Sequence, residues 1–190
     1  AIETNDTKSS VSPNREQKDK DGAPKTTESR IQGFGVEMGS PVKGKTIPLS
    51  QVNDEAFASG AMGDGLGIIP SEGKIYAPLD GTAEAVFPTG HAVGLVTEEG
   101  REILIHIGID TVQLEGKGFY AHVEQGDRVK KGDLLIEFDP ELIQKEGYDP
   151  TVIYILTDME QVAKLDVRTN QNVQAMETVM YVEGKEHANG

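Results

Sequence analysis

Cysteine is absent from this sequence. Its absence excludes disulfides, thiol nucleophiles and cysteine-ligated metals, and agrees with a cytosolic location, which we expect. Long apolar runs are missing too. None approaches the ~18 residues of a membrane span, and the opening AIETNDTKSS has no hydrophobic stretch of the kind a secretory leader needs. Bases are scarce, 18 Lys and Arg against 32 Asp and Glu, for a net charge of −14. Residues 1–30 balance six acids with six bases, so 26 acids against 12 bases fall on the rest of the chain. That excess disfavours nucleic acid and anionic membranes as partners and favours a basic protein surface.

Residues 1–33 are polar, with Ile2, Val11 and Ile31 the only large aliphatic side chains. We expect a flexible polar linker there, followed by one folded domain over 34–190 with a short polar tail. Within that domain, apolar runs of strand length alternate with glycine, proline and acidic turns every 8–12 residues. VKGKTIPL, GIIP, KIYAPL, GTAEAVFP, AVGLVTEEG, EILIHIGI, DLLIEF, VIYIL and TVMYV all read as strands. The spacing predicts an all-β antiparallel sandwich or barrel. Helical signal is confined to DPELIQKEG and DMEQVAKL, short turns of helix at most. Residues 39–46, GSPVKGKT, fit the phosphate-loop pattern letter for letter. That pattern has meaning only between a buried strand and a long helix, and Pro41 and Pro48 argue against such a helix. The glycines of GAMGDGLG (60–67) are expected in turns.

The segment EILIHIGID (102–110) places Ile103, Ile105 and Ile107 on one face of a strand, and Leu104, His106 and Gly108 on the other. A hairpin turn centred on TEEG would put Val93 opposite Leu104 and His91 opposite His106, so that the two imidazoles are neighbours. Val93, Leu95, Leu104 and Gly108 would then surround the pair, with Gly108 leaving open space beside His106. A one-residue change of register would separate the histidines. Three chemistries could use them. Zinc binding calls for a third protein ligand, and acid–base catalysis calls for a substrate cleft. In phosphoryl carriage, one imidazole attacks phosphorus while the other hydrogen-bonds the phosphoryl oxygens.

GREILIHIGIDTVQLEGKGF resembles the active-site segment of the glucose-family enzyme IIA domains of the bacterial sugar phosphotransferase system. The resemblance continues through KIYAPLDGTAEAVF, PTGHAV and VEQGDRVKKGDLLIEFD, over about residues 38–185. It implies a β-sandwich with a shallow apolar depression, and a phosphotransferase component that needs no cofactor. His106 matches the histidine phosphorylated at Nε2, which receives phosphate from the carrier HPr and passes it to an enzyme IIB domain for sugar uptake and phosphorylation. His91 matches the histidine that stabilises the phosphoryl group, and Thr89 the threonine that orients it. Asp54 and Asp110 match the acidic flank. Phe57, Met62, Phe87, Val93, Leu104 and Val112 fall at or near the partner-docking patch. No metal is required, although His91 and His106 are candidate ligands for an adventitious or regulatory zinc.

VEQGDRVKKGDLLIEFD also resembles lipoyl and biotinyl carrier domains, but the lysine those carriers need in a tight MKM- or DKA-type hairpin is missing. Lys130 and Lys131 fall in a connecting turn instead. Lysostaphin-like zinc peptidases need an H-x-H pair, also missing, and neither His122 nor His187 receives a role. The hydrophilic start and the lack of an initiating Met lead us to expect the C-terminal cytoplasmic domain of a membrane sugar permease. The alternative is a regulatory module whose phosphorylation controls an attached transporter.

Overall fold

The computed structural model describes residues 35–186. The expected linker and His187 lie outside the described residues. Fourteen short strands run in chain order: β1 (Gly35–Gly39), β2 (Gly44–Pro48), β3 (Asp64–Pro70), β4 (Lys74–Tyr76), β5 (Gly81–Val86), β6 (Ala92–Thr97), β7 (Glu102–Ile107), β8 (Phe119–Ala121), β9 (Arg128–Val129), β10 (Leu134–Phe138), β11 (Val152–Leu156), β12 (Val162–Val167), β13 (Asn172–Val173) and β14 (Thr178–Gly184). They form an eight-stranded sheet, β13-β2-β3-β11-β7-β6-β5-β9, and two three-stranded sheets, β1-β14-β12 and β4-β10-β8. All pairings are antiparallel. The fold is thus of the expected all-β class. Among the described residues the α-helices are two short ones, α1 (Glu55–Ala58) and α2 (Pro140–Lys145), the second inside DPELIQKEG.

β11 shows how the core is arranged. All five residues of VIYIL are buried, so both faces of this strand are covered. Val152, Tyr154 and Leu156 join Ile103, Ile105 and Ile107 of β7 in the main core. Ile153 and Ile155, on the opposite face, pack with Leu49, Val52, Phe57 and Ile109 in a second, smaller core. Burying each such side chain stabilises the fold by roughly 1.5–3 kcal/mol.

The cover over this second core is the segment from Leu49 to Ala58, a single 3₁₀ turn (Leu49–Gln51) followed by α1. The Asp54 carboxylate caps α1 by accepting the Phe57 N–H at 3.2 Å. Gly67 of β3 makes room for this cover, since a Cβ there would lie 2.9 Å from both Ile47 Cγ1 and Val52 Cγ2. The GAMGDGLG run is therefore not all turn. Gly60 and Gly63 are turn residues with positive φ, whereas Gly65 and Gly67 belong to β3.

One other expectation fails. DMEQVAKL is not helical beyond one 3₁₀ turn at Met159–Gln161, and its second half is β12. Pairing with β14 overrides the helix propensity of Ala163, Lys164 and Leu165. β1 (Gly35–Gly39) is not among the strands read from the sequence; it pairs with β14. The phosphate-loop match is confirmed as fortuitous. Gly44, Lys45 and Thr46 open a strand paired with β3, and the Thr46 N–H is committed to the Gln171 carbonyl at 2.8 Å.

Candidate active site

The hairpin joining β6 to β7 turns over Glu98, Glu99 and Gly100. The Thr97 N–H donates to the Arg101 carbonyl at 2.9 Å, and Gly100 takes φ +86°. A three-residue loop with glycine in the left-handed position is a stable hairpin alternative. It moves the register by one residue from that of a two-residue turn. Ala92 therefore faces His106, Val93 faces Ile105 and Gly94 faces Leu104. Val93 and Leu95 consequently point into the main core and are buried. Val93 is thus removed from any docking surface.

The histidines nevertheless meet. His91 stands just before β6, at a bend that follows Gly90 with φ +73°. Freed from strand alternation, its ring turns to the outer face. The His91 and His106 ring centroids are 5.1 Å apart with planes at 80°. Phe57 lies 5.1 Å from His106 on one side, and Phe87 lies 5.3 Å from His91 on the other. Four rings thus form a row across the end of the sheet. His106 itself is held by pairing with both Ile153 and Ala92.

Each imidazole has a fixed contact at Nδ1. His106 Nδ1 lies 2.8 Å from the carbonyl oxygen of Gly108. A carbonyl only accepts, so Nδ1 carries the proton and the neutral ring has its lone pair on Nε2. His91 Nδ1 is hydrogen-bonded to Thr89 Oγ1. Gly108 owes its identity to conformation rather than to open space. Its φ is +78°, and a Cβ would run into Thr111 Cγ2 and lie 2.9 Å from the Asp149 carbonyl oxygen.

Burial is the first cause of the low basicity of both rings. It pushes His91 down to about 4, with His106 adding to the effect. It also lowers His106, against the opposing influence of the Gly108 carbonyl, Asp54 and Asp110. Both rings are therefore neutral near pH 7. Asp110 opens the 3₁₀ turn Thr111–Leu114 in a left-handed conformation.

The patch residues divide by exposure. Met62, Phe87 and Val112 are 47%, 42% and 47% exposed. Phe57 is only 7% exposed and forms the floor beneath His106, and Leu104 packs against the second core. Sequence reasoning missed the Gly108 carbonyl as the partner of His106; the glycine two residues after the strand histidine was its only trace. Nor did it single out the Asn53, Asp149 and Thr151 contacts behind the site.

The model of the phosphoenolpyruvate-dependent sugar phosphotransferase system, EIIA 1, family matches residues 36–162. Over 143 residues the chain is 50% identical to the beta-glucoside-specific EIIBCA component of Halalkalibacterium halodurans, covering 75% of this chain and 22% of that protein. It is 44% identical over 152 residues to the raffinose carrier protein of Pediococcus pentosaceus, covering 79% of this chain and 24% of that one. The glucose permease IIA from Mycoplasma capricolum superimposes with a TM-score of 0.71 at 34% identity, covering 77% of this chain and 95% of that structure. This chain belongs to the EIIA 1 family of the sugar phosphotransferase system, and is a phosphotransferase component of the glucose-type IIA fold. It spans about a quarter of the length of the curated relatives it matches.

Proposed function

We propose that His106 carries a phosphoryl group on Nε2, accepted from the phosphohistidine of HPr and passed to an enzyme IIB domain during sugar uptake and phosphorylation. The observation that carries this reading is the Gly108 carbonyl at His106 Nδ1, because it leaves Nε2 as the free lone pair beside a second imidazole. In the transfer, the donor P–N bond breaks as the Nε2–P bond forms, and the donor nitrogen recovers its electron pair. The proton on Nδ1 stays in place, so the step needs no general base. Exchange between two imidazoles is close to thermoneutral, and catalysis reduces to alignment and stabilisation of oxygen charge.

His91 serves as the donor to those oxygens. With the Thr89 hydroxyl donating to Nδ1, the neutral His91 ring presents Nε2–H toward the phosphoryl site. Asp54 and Asp110 temper the loss of basicity at His106 and face the positive charge of a basic donor protein. Exposed Met62, Phe87 and Val112 supply the apolar contact around the rings.

The EIIBCA relatives support attachment to a IIB domain and a permease, and we place this domain on the cytoplasmic side, where HPr would reach it. No helix among the described residues is long and apolar enough to cross a membrane. A second reading is that phosphorylation regulates an attached transporter; one relative of this domain is named as a raffinose carrier protein. Carriage requires no cofactor. Any zinc bound by His91 and His106 would complete its coordination from outside this set, since no group of three potential ligands stands together among the described residues.

The test is transfer through purified enzyme I, HPr and a IIB domain. His106→Gln is expected to take up no phosphate. His91→Gln is expected to accept phosphate but to pass it on slowly. Normal acceptance and transfer by both variants would remove the paired-imidazole mechanism, and acceptance by the wild type without transfer to any IIB domain would favour the regulatory reading.

A further inference from the structure

The two supports of His106 come from segments far apart in sequence. One is the cover segment, which sets Phe57 5.1 Å from the ring and Asp54 where its charge acts on it. The other is the turn after β7, which brings the Gly108 carbonyl to Nδ1. Both meet at Asp149. Its Oδ2 accepts the Asn53 Nδ2–H at 2.9 Å, one residue before Asp54. Its Oδ1 accepts the Thr151 N–H at 2.9 Å and the Thr151 hydroxyl at 2.6 Å, which fixes the bend of the 149–151 segment. From that bend, the Thr151 carbonyl accepts the Gly108 N–H and the Asp149 carbonyl accepts the Ile109 N–H, both at 2.9 Å. The Gly108 peptide is thereby held with its carbonyl toward His106.

We propose that Asp149 is a positioning residue for His106, a carboxylate clasp that holds the cover segment and the Gly108 turn in one arrangement. Asp149 does not touch the reacting atoms; it acts through Asn53 on one side and through Thr151 and the Gly108 peptide on the other. The carboxyl is suited to this as an anion. Burial raises its pKa, but the hydrogen bonds from Thr151 and Asn53 outweigh burial and leave it below the usual carboxylate range. Small displacements at a reacting centre cost on the order of 10²-fold in rate, so the clasp matters beyond its contribution to folding. This inference rests on the proposed phosphorylation of His106 for its kinetic consequence, but not for its structural one.

The experiment compares wild type, Asp149→Ala, Asp149→Asn and Asn53→Ala as the full chain, by nitrogen-15 NMR of the His106 ring and by the rate of phosphate uptake from phospho-HPr. In the wild type the neutral His106 ring is expected as the Nδ1–H form. Asp149→Ala should give a mixture of both tautomers and slow uptake by about 10- to 100-fold. Asp149→Asn keeps an acceptor for Thr151 and should restore the tautomer and most of the rate. Asn53→Ala cuts only the arm to the cover segment. It should keep the tautomer, shift the His106 titration as Asp54 moves, and slow uptake by about 2- to 5-fold. If Asp149→Ala fails to fold, Asn53→Ala alone decides the clasp through that titration. An unchanged tautomer in Asp149→Ala, or an unchanged titration in Asn53→Ala, overturns the clasp. If the wild type takes no phosphate, the carrier reading fails, while the ring NMR still decides the clasp.

Discussion

Replacing Gly108 by alanine adds one methyl group at the centre of the site, and the structure sets the consequence. The residue sits at φ +78°, where a side chain costs about 1–2 kcal/mol. The new Cβ also meets Thr111 Cγ2 and the Asp149 carbonyl oxygen, the latter at 2.9 Å. Thr111 is fully buried, with its hydroxyl bonded to the Ile107 carbonyl, so it yields poorly, and overpacking of this kind costs about 1–3 kcal/mol. Relief by backbone rotation would swing the Gly108 carbonyl from His106 Nδ1 and forfeit a hydrogen bond worth about 1 kcal/mol. The strain and overpacking together, about 2–5 kcal/mol, are a large part of a typical domain's stability and correspond to a fall in Tm of roughly 4–20 °C. Thermal and urea denaturation measure the first effect, and nitrogen-15 NMR of His106 measures the second. A Tm within 1–2 °C of wild type, with His106 still wholly in the Nδ1–H form, would refute the reasoning.

Acid should destabilise the protein through His91. A base held at about 4 when folded, against an ordinary 6.5, leaves the unfolded chain binding more protons between those values. Stability contributed by the neutral ring is thus whole above pH 6.5 and lost as pH falls toward 4, by up to about 3 kcal/mol; urea titrations at several pH values should show this slope, and His91→Gln should flatten it. Val93→Ala should lower stability by about 1.5–3 kcal/mol while the folded fraction takes up phosphate at the wild-type rate, because Val93 belongs to the main core. Phe87→Ala should do the reverse, raising the KM for phospho-HPr severalfold with little change in Tm, because that ring is 42% exposed beside His91. Gly67→Val should loosen the cover segment, detectable as faster amide exchange over residues 49–58, since Val52 occupies the space a side chain would need.

The strands legible in the sequence were those whose burial is periodic or continuous. β7 alternates because one face meets the main core, and VIYIL is apolar throughout because both faces of β11 are covered. β1, β8, β9, β12 and β13 were not legible, being two to six residues long and dependent on partners distant in sequence. The histidine pair was anticipated through a register that proved one residue off. A two-residue and a three-residue turn over TEEG differ by the conformation of Gly100, which composition does not reveal. The rings meet because His91 lies outside the strand, at a bend no periodicity describes. The role of Gly108 was hidden for a related reason. Glycine marks a left-handed backbone, but where the freed carbonyl points depends on the Asp149–Thr151 segment some forty residues away.

In the proposed function, strand β7 carries His106 to hold a phosphoryl group on Nε2. Intact mass and phosphorus-31 NMR after incubation with phosphoenolpyruvate, enzyme I and HPr test it most directly, with His106→Gln in parallel. One acid-labile phosphate is expected on the wild type, with the resonance of an Nε2 phosphohistidine, and none on the variant. A wild type that takes up no phosphate, or a His106→Gln variant that takes it up equally well, would contradict it.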